Sequence, residues 1–149
     1  MSSGTAVAVI LTATAGLAGA VQAAVMGELG ERVGIAPALA FAVAISLVCA
    51  LGLLLVWERS FAGVREAAHQ PGWLWLGGVM SVFIVLAITV AAPRIGVAAT
   101  IGIVIAGNLV MGALIDQYGL LGQEQATLTW PRLLGLVLLA IGAALSLDR

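Results

Sequence analysis

The chain has 149 residues, 62% of them hydrophobic, with six Lys+Arg against seven Asp+Glu and a formal net charge of −1. A water-soluble domain carries about a quarter of its residues as charges; this chain carries 9% at a mean hydropathy of +1.19, so its natural solvent is the bilayer. The charge balance offers nothing to nucleic acid, and a single Cys and a single His exclude a disulfide framework and a metal cluster, so neither metal nor cofactor is expected.

In chain order, five apolar runs are long enough to cross hydrocarbon, at roughly Thr5–Gly27, Ile35–Trp57, Trp73–Ala92, Ile95–Ile115 and Pro131–Leu147. The first begins without Lys or Arg and exceeds the length of a signal-peptide core, which predicts a retained span. Its small residues Gly16 and Ala20 recur at the four-residue spacing of close helix contacts. The charged stretch "ELGERVG" (28–34) is read as the connection to the second span. The second span contains Cys49, which has no partner for a disulfide, and ends at Trp57.

The polar connection "ERSFAGVREAAHQPG" (58–72) holds His69, read as solvated. Trp73 and Trp75 open the third span, and Gly77 and Gly78 give it a smooth patch for a crossing helix. With Trp57 and Trp130 these tryptophans fall near span ends, as an interfacial aromatic belt predicts. "PR" (93–94) is read as the turn before the fourth span, because proline suits a first helical turn and Arg94 can reach headgroups. Gly107 and Gly112 in the fourth span, and Gly135 and Gly142 in the fifth, are predicted packing positions.

Intramembrane polar groups are few. Gln22 and Asn108 are the amides, and Ser81 and Thr100 are weaker candidates because a hydroxyl can bond back to its own helix. An amide at membrane depth argues for a protein interior or an aqueous cavity, so Gln22, Asn108, Trp73, Thr100 and Ser81 are the candidate cavity residues. Asp116 and Glu28, at span ends, are candidate gate or coupling groups. No carboxylate lies deep in a span, and there is no Ser/His/Asp set, paired carboxylates or phosphate loop, so the chain is not expected to be an enzyme.

Orientation follows the Lys/Arg bias of the connections. Five spans put Arg59, Arg65 and Arg132 on one side and Arg32, Arg94 and Arg149 on the other, so the bias is nil. The expectation is insertion in both orientations. No internal repeat is visible, so symmetry would come from pairing: an antiparallel homodimer, or a heterodimer with a sister five-span chain, giving a 5+5 inverted repeat around a small-molecule solute. In that pair Gln22 of one chain and Asn108 of the other share a leaflet half. A dual-topology ion channel and a non-transporting subunit of a partner complex are the alternative functions.

"QAAVMGELGERVGIAPALAFAVAISL" (22–47), "PGWLWLGGVMSVFIVLAITVAAPRIGVAAT" (71–100), "AGNLVMGALIDQYGLLG" (106–122) and "LTWPRLLGLVLLAIGAALSL" (128–147) resemble the YdcZ-like family, a five-span, half-size branch of the drug/metabolite transporter superfamily. The resemblance covers nearly the whole chain and implies a bacterial inner-membrane transporter that works as a pair of five-span units, exporting or exchanging a small metabolite or drug. The matching positions are Gln22, Trp73, Gly77, Gly78, Pro93, Arg94, Gly96, Asp116, Gly119 and Arg132. Met26 stands where the family usually has Asn, and Asn108 where it usually has Gln. The fold expected over 1–149 is therefore one all-α transmembrane domain of five helices.

Overall fold

The structure, a computed structural model, describes residues 3–123, 125–126 and 129–145. The predicted end of the fifth span beyond Leu145, Arg149, and the side chain of Arg132 lie outside the described residues.

Every long element is an α-helix: α1 (Ser3–Val33), α2 (Ile35–Trp57), α4 (Leu76–Ile95), α5 (Val97–Tyr118) and α6 (Trp130–Leu145), with a short α3 (Ala62–Ala68) inside the 58–72 connection. A 3-10 turn over Gly72–Trp75 leads into α4. Among the described residues, four stretches are long and apolar enough to cross a membrane: Ser3–Val33, Ile35–Trp57, Gly72–Ile95 and Val97–Tyr118. The described part of α6 has 16 residues, about 24 Å of helix, and is apolar but shorter. Large apolar side chains such as Leu17, Val48 and Phe83 are exposed, which water would not tolerate and lipid does.

Two expected connections prove to be helical. Residues 28–33 are not a loop: α1 runs through them, because Glu28, Leu29, Glu31 and Arg32 are adequate helix formers. Arg32 Nε also donates to Glu28 Oε1 at 2.7 Å one turn back. Nor is Pro93–Arg94 the turn before the fourth span. Pro93 lies in the last turns of α4, where its missing N–H costs a single bond, to the carbonyl of Thr89.

The chain leaves the helix one residue at a time, at glycines. Gly34 (φ 91°, ψ 156°) separates α1 from α2, and Gly96 (φ 86°, ψ 157°) separates α4 from α5. That region of φ/ψ space is essentially closed to L side chains. Charge was the misleading cue at 28–33 and proline at 93–94, since charged residues can extend a helix and a Cβ at positive φ cannot. At the far end of α5, Gly119 (φ 60°) adopts the left-handed C-cap, and its N–H donates to the Ile115 carbonyl.

Two compact units share these elements: residues up to Ala24 together with those from Arg94 onward, and Val25–Pro93. In the Val25–Pro93 unit, the end of α1 crosses the end of α4 at backbone distance. A Cβ placed on Gly27 would lie 3.3 Å from Ala92 Cβ and from Pro93 Cδ, and one on Gly30 would lie 2.7 Å from Thr89 Cγ2. Met26, Ile88, Thr89 and Ala92 are buried in this unit. In the other unit α5 packs on α6, with Gly102 facing Ala143 (3.4 Å from a built Cβ to the Ala143 Cβ).

The glycines expected to pack make no close approach within a single chain. Among the described residues, a Cβ added at Gly16, Gly77, Gly78 or Gly107 would meet nothing within 4 Å, so these positions make no close contact inside one chain. Ala20 is half-buried. The close crossings use Gly27, Gly30 and Gly102 instead.

Candidate functional site

Asn108 lies at the midpoint of α5, the helix that runs from Val97 to Tyr118. It faces a cleft of about 270 Å³ between α5 and α6, with Gly112 and Ala113 on its own helix and Gly135, Leu136 and Leu139 on the other. A second cleft of about 380 Å³ follows the same seam around Gly102, Leu139 and Gly142. Gly112, Gly135 and Gly142 have no atom within 4 Å of where a Cβ would sit. They line space rather than fill it, so their part in the seam is to leave room.

The chemistry of the first cleft is simple. Among the described residues its walls are aliphatic, no charged side chain lines it, and the Asn108 amide is its one polar side chain. That amide offers two donors and one acceptor group. Among the described residues it has no hydrogen-bond partner of its own chain. An unpaired ion would be expensive in such a place; a neutral, largely apolar molecule with one group to match the amide would not.

The other candidates sit elsewhere. Gln22 is exposed on α1 and lines neither cleft. Thr100 is 2% exposed, and its hydroxyl donates to the Gly96 carbonyl at 2.8 Å, so it is satisfied by its own helix and faces neither cleft. Thr89 does the same with Val85 at 2.7 Å. Ser81 is exposed on α4. Trp73 is half exposed in the 3-10 turn beside Trp75, while Trp57 ends α2 and Trp130 begins α6; all four stand where a belt would be.

Of the two acidic candidates, Glu28 is engaged by Arg32 on the exposed side of α1. Asp116 is half-buried near the C-terminus of α5, where the chain folds back over the helix end. The Ala126 N–H donates to the Asp116 carbonyl at 2.8 Å, and Gln125 Nε2 donates to the Gln117 carbonyl at 2.9 Å. Two terminal carbonyls of α5 are thus capped by the following loop. Sequence reading found Asn108 through its amide but missed this cap, whose only signal was Gly119.

The profile of one family, described as "Putative inner membrane exporter, YdcZ", matches residues 7–145. The chain belongs to the YdcZ family. With its long apolar helices it is a multi-pass protein of the inner membrane, and its kind is a membrane transporter rather than an enzyme. No curated protein and no solved structure matches the chain. Within the YdcZ frame, the Asn108 position gains weight, because it combines the midpoint of a spanning helix with the cleft on the α5–α6 seam.

Proposed function

We propose that this YdcZ protein is half of a secondary carrier. Two five-span chains, inserted in opposite senses, pair to give ten spans and move a small solute outward or in exchange by alternating access. The partner is a second copy or a sister chain. Support for the solute path comes from one observation above the others: the α5–α6 cleft presents a single unpaired amide, Asn108, between aliphatic walls at mid-helix. Binding sites of carriers lie near the bilayer midplane, at the interface of repeats that are frequently inverted. The arginine tie supports opposite insertion.

Gln22 completes the proposal. It stands four residues past the midpoint of α1, about 6 Å along the axis, on the far side of the midplane from any position past the middle of α5. Only an oppositely inserted chain brings a Gln22 to the leaflet half that the C-terminal part of α5 occupies, with Asn108 at its edge. Asp116 and Glu28, near helix ends, would then flank the mouths.

The test is counterflow in proteoliposomes. Vesicles preloaded with a panel of neutral amphipathic compounds should take up the labelled compound in a saturable way, and Asn108→Leu at equal reconstituted amount should abolish it. Counterflow that survives Asn108→Leu unchanged would remove the cleft from the path. Single-channel currents in place of counterflow would overturn the carrier.

A further inference from the structure

The two glycine corners are built alike. Arg32-Val33-Gly34-Ile35-Ala36 and Arg94-Ile95-Gly96-Val97-Ala98 share one pattern, Arg, β-branched, Gly, β-branched, Ala, offset by 62 residues (94 against 32). The two glycines have φ of 91° and 86° and ψ of 156° and 157°. Each carbonyl accepts the N–H of the residue four further on, Ala38 at 3.1 Å and Thr100 at 3.0 Å. Burial agrees at two pairs of equivalent positions, Ala38 with Thr100 four residues after the corners and Met26 with Ile88 eight residues before them, and differs at others, Ala99 being buried where Pro37 is exposed. A five-residue match is hard to see in a chain this rich in Ala, Gly, Val and Ile, which is why the sequence alone shows no repeat. Shared dihedrals, the shared first bond of the following helix and agreement in burial at two pairs of positions make it one.

We infer that the corners belong to two copies of one helix–glycine–helix unit, and that Ser46 holds in the first copy the place that Asn108 holds in the second. Ser46 is twelve residues beyond Gly34 and Asn108 is twelve beyond Gly96, so each has the same height and angular phase on the helix its corner begins. Ser46 is the one hydroxyl of α2. The hydroxyls of Thr12, Thr14, Thr89 and Thr100 all donate to a carbonyl one turn back. Among the described residues, Ser46 and Asn108 have no such bond, nor has Ser81 of α4, which stands at no equivalent position. Ser46 is therefore a second polar position on the solute path, a neutral hydrogen-bonding group paired in function with the amide. This rests on the reading of Asn108 as solute-facing.

The experiment is thiol accessibility with a charged, water-soluble methanethiosulfonate as the probe. In a Cys49→Ala background, Ser46→Cys and Asn108→Cys are compared with Val48→Cys and Val110→Cys, two residues further on and on another face of each helix. All are labelled in permeabilised spheroplasts, so both membrane sides are reached. A thiolate is the reacting species, and an apolar setting that raises the thiol pKa by about one unit slows labelling about tenfold. Ser46→Cys and Asn108→Cys should each react at least about tenfold faster than their neighbours. Asn108→Cys fast with Ser46→Cys as slow as Val48→Cys overturns the inference and leaves the carrier reading standing. Both slow overturns both. Ser46→Cys fast with Asn108→Cys slow breaks the equivalence and removes the amide from the path. The Ser46→Cys change exchanges one oxygen for one sulfur, so the fold is not at stake.

Discussion

The crossing of α1 and α4 can be tested with one methyl group. In Gly30→Ala the new Cβ would lie 2.7 Å from Thr89 Cγ2, inside the distance real methyls reach. Thr89 cannot easily turn away. It is 1% exposed, and its hydroxyl is held by the Val85 carbonyl at 2.7 Å, so rotating the side chain breaks that bond. The helices must part instead. Overpacking of this kind costs about 1–3 kcal/mol, against a gain of at most about 1 kcal/mol from replacing a helical glycine by alanine. The net expectation is a loss of about 1–2 kcal/mol.

The readout is apparent melting temperature of the purified protein in detergent. For a chain of this size each kcal/mol is worth about 2–4 °C. Thr89→Ser removes the offending Cγ2 while keeping the hydroxyl bond, so Gly30→Ala/Thr89→Ser should recover most of the loss. Gly52→Ala on α2, with nothing within 4 Å among the described residues, is the matched control and should melt at or above the wild-type temperature. A Gly30→Ala protein that melts with wild type, or a double variant no better than the single, would refute the crossing.

Three further outcomes are expected. Gly34→Ala and Gly96→Ala place a Cβ at φ of 91° and 86°, a strain of about 1–3 kcal/mol each, and should lower the yield of monodisperse protein while Gly52→Ala does not. Glu28→Gln breaks an exposed i,i+4 pair with Arg32 worth at most about 1 kcal/mol; melting should hold, so lost counterflow would mark Glu28 as a coupling group and retained counterflow would make it a plain interfacial carboxylate. A cysteine at Ser3 in the Cys49→Ala background, treated with an impermeant reagent before and after the membrane is opened, should label about half from each side if both orientations occur; labelling from one side would end the dual-insertion reading.

The helices were legible because hydrophobic length is a strong signal, and Ile35–Trp57 falls where the apolar run predicts. The corners were not. Residues 28–33 carry three charges and look like a loop, yet nothing in Glu or Arg opposes a helix. Pro93 looks like a helix start, yet a proline is tolerated as well two residues before a helix ends. What ends these helices is the sign of φ at Gly34 and Gly96, a property that many of the chain's 19 glycines could have had. The amide of Asn108 was legible as a polar group out of place. Its cleft was not, because Gly135 and Leu139 come from a helix whose register against α5 is tertiary information.

Exposure alone says little about pairing in this protein. A soluble chain with Leu17, Val48 and Trp57 all exposed would demand a partner, but lipid covers such side chains at no cost. The notches are more informative. Lipid tails fill a smooth helix face well and fill glycine gaps poorly, since a gap forfeits the dispersion contacts of every atom around it. Gly16 on α1 and Gly77–Gly78 on α4 are such gaps, with nothing of their own chain within 4 Å. Close helix approach is what small residues permit in a bilayer, where hydrophobicity cannot drive association. In the proposed carrier, helices of a second, oppositely inserted chain would fill these notches and restore the contacts, and the Asn108 cleft, whose glycines have nothing within 4 Å among the described residues, would be the gap kept for a solute. Gly77→Leu should therefore weaken pairing in a crosslinking assay without unfolding the monomer, whereas Gly135→Leu should leave pairing intact and block counterflow. The opposite pattern would exchange the roles of the two gaps.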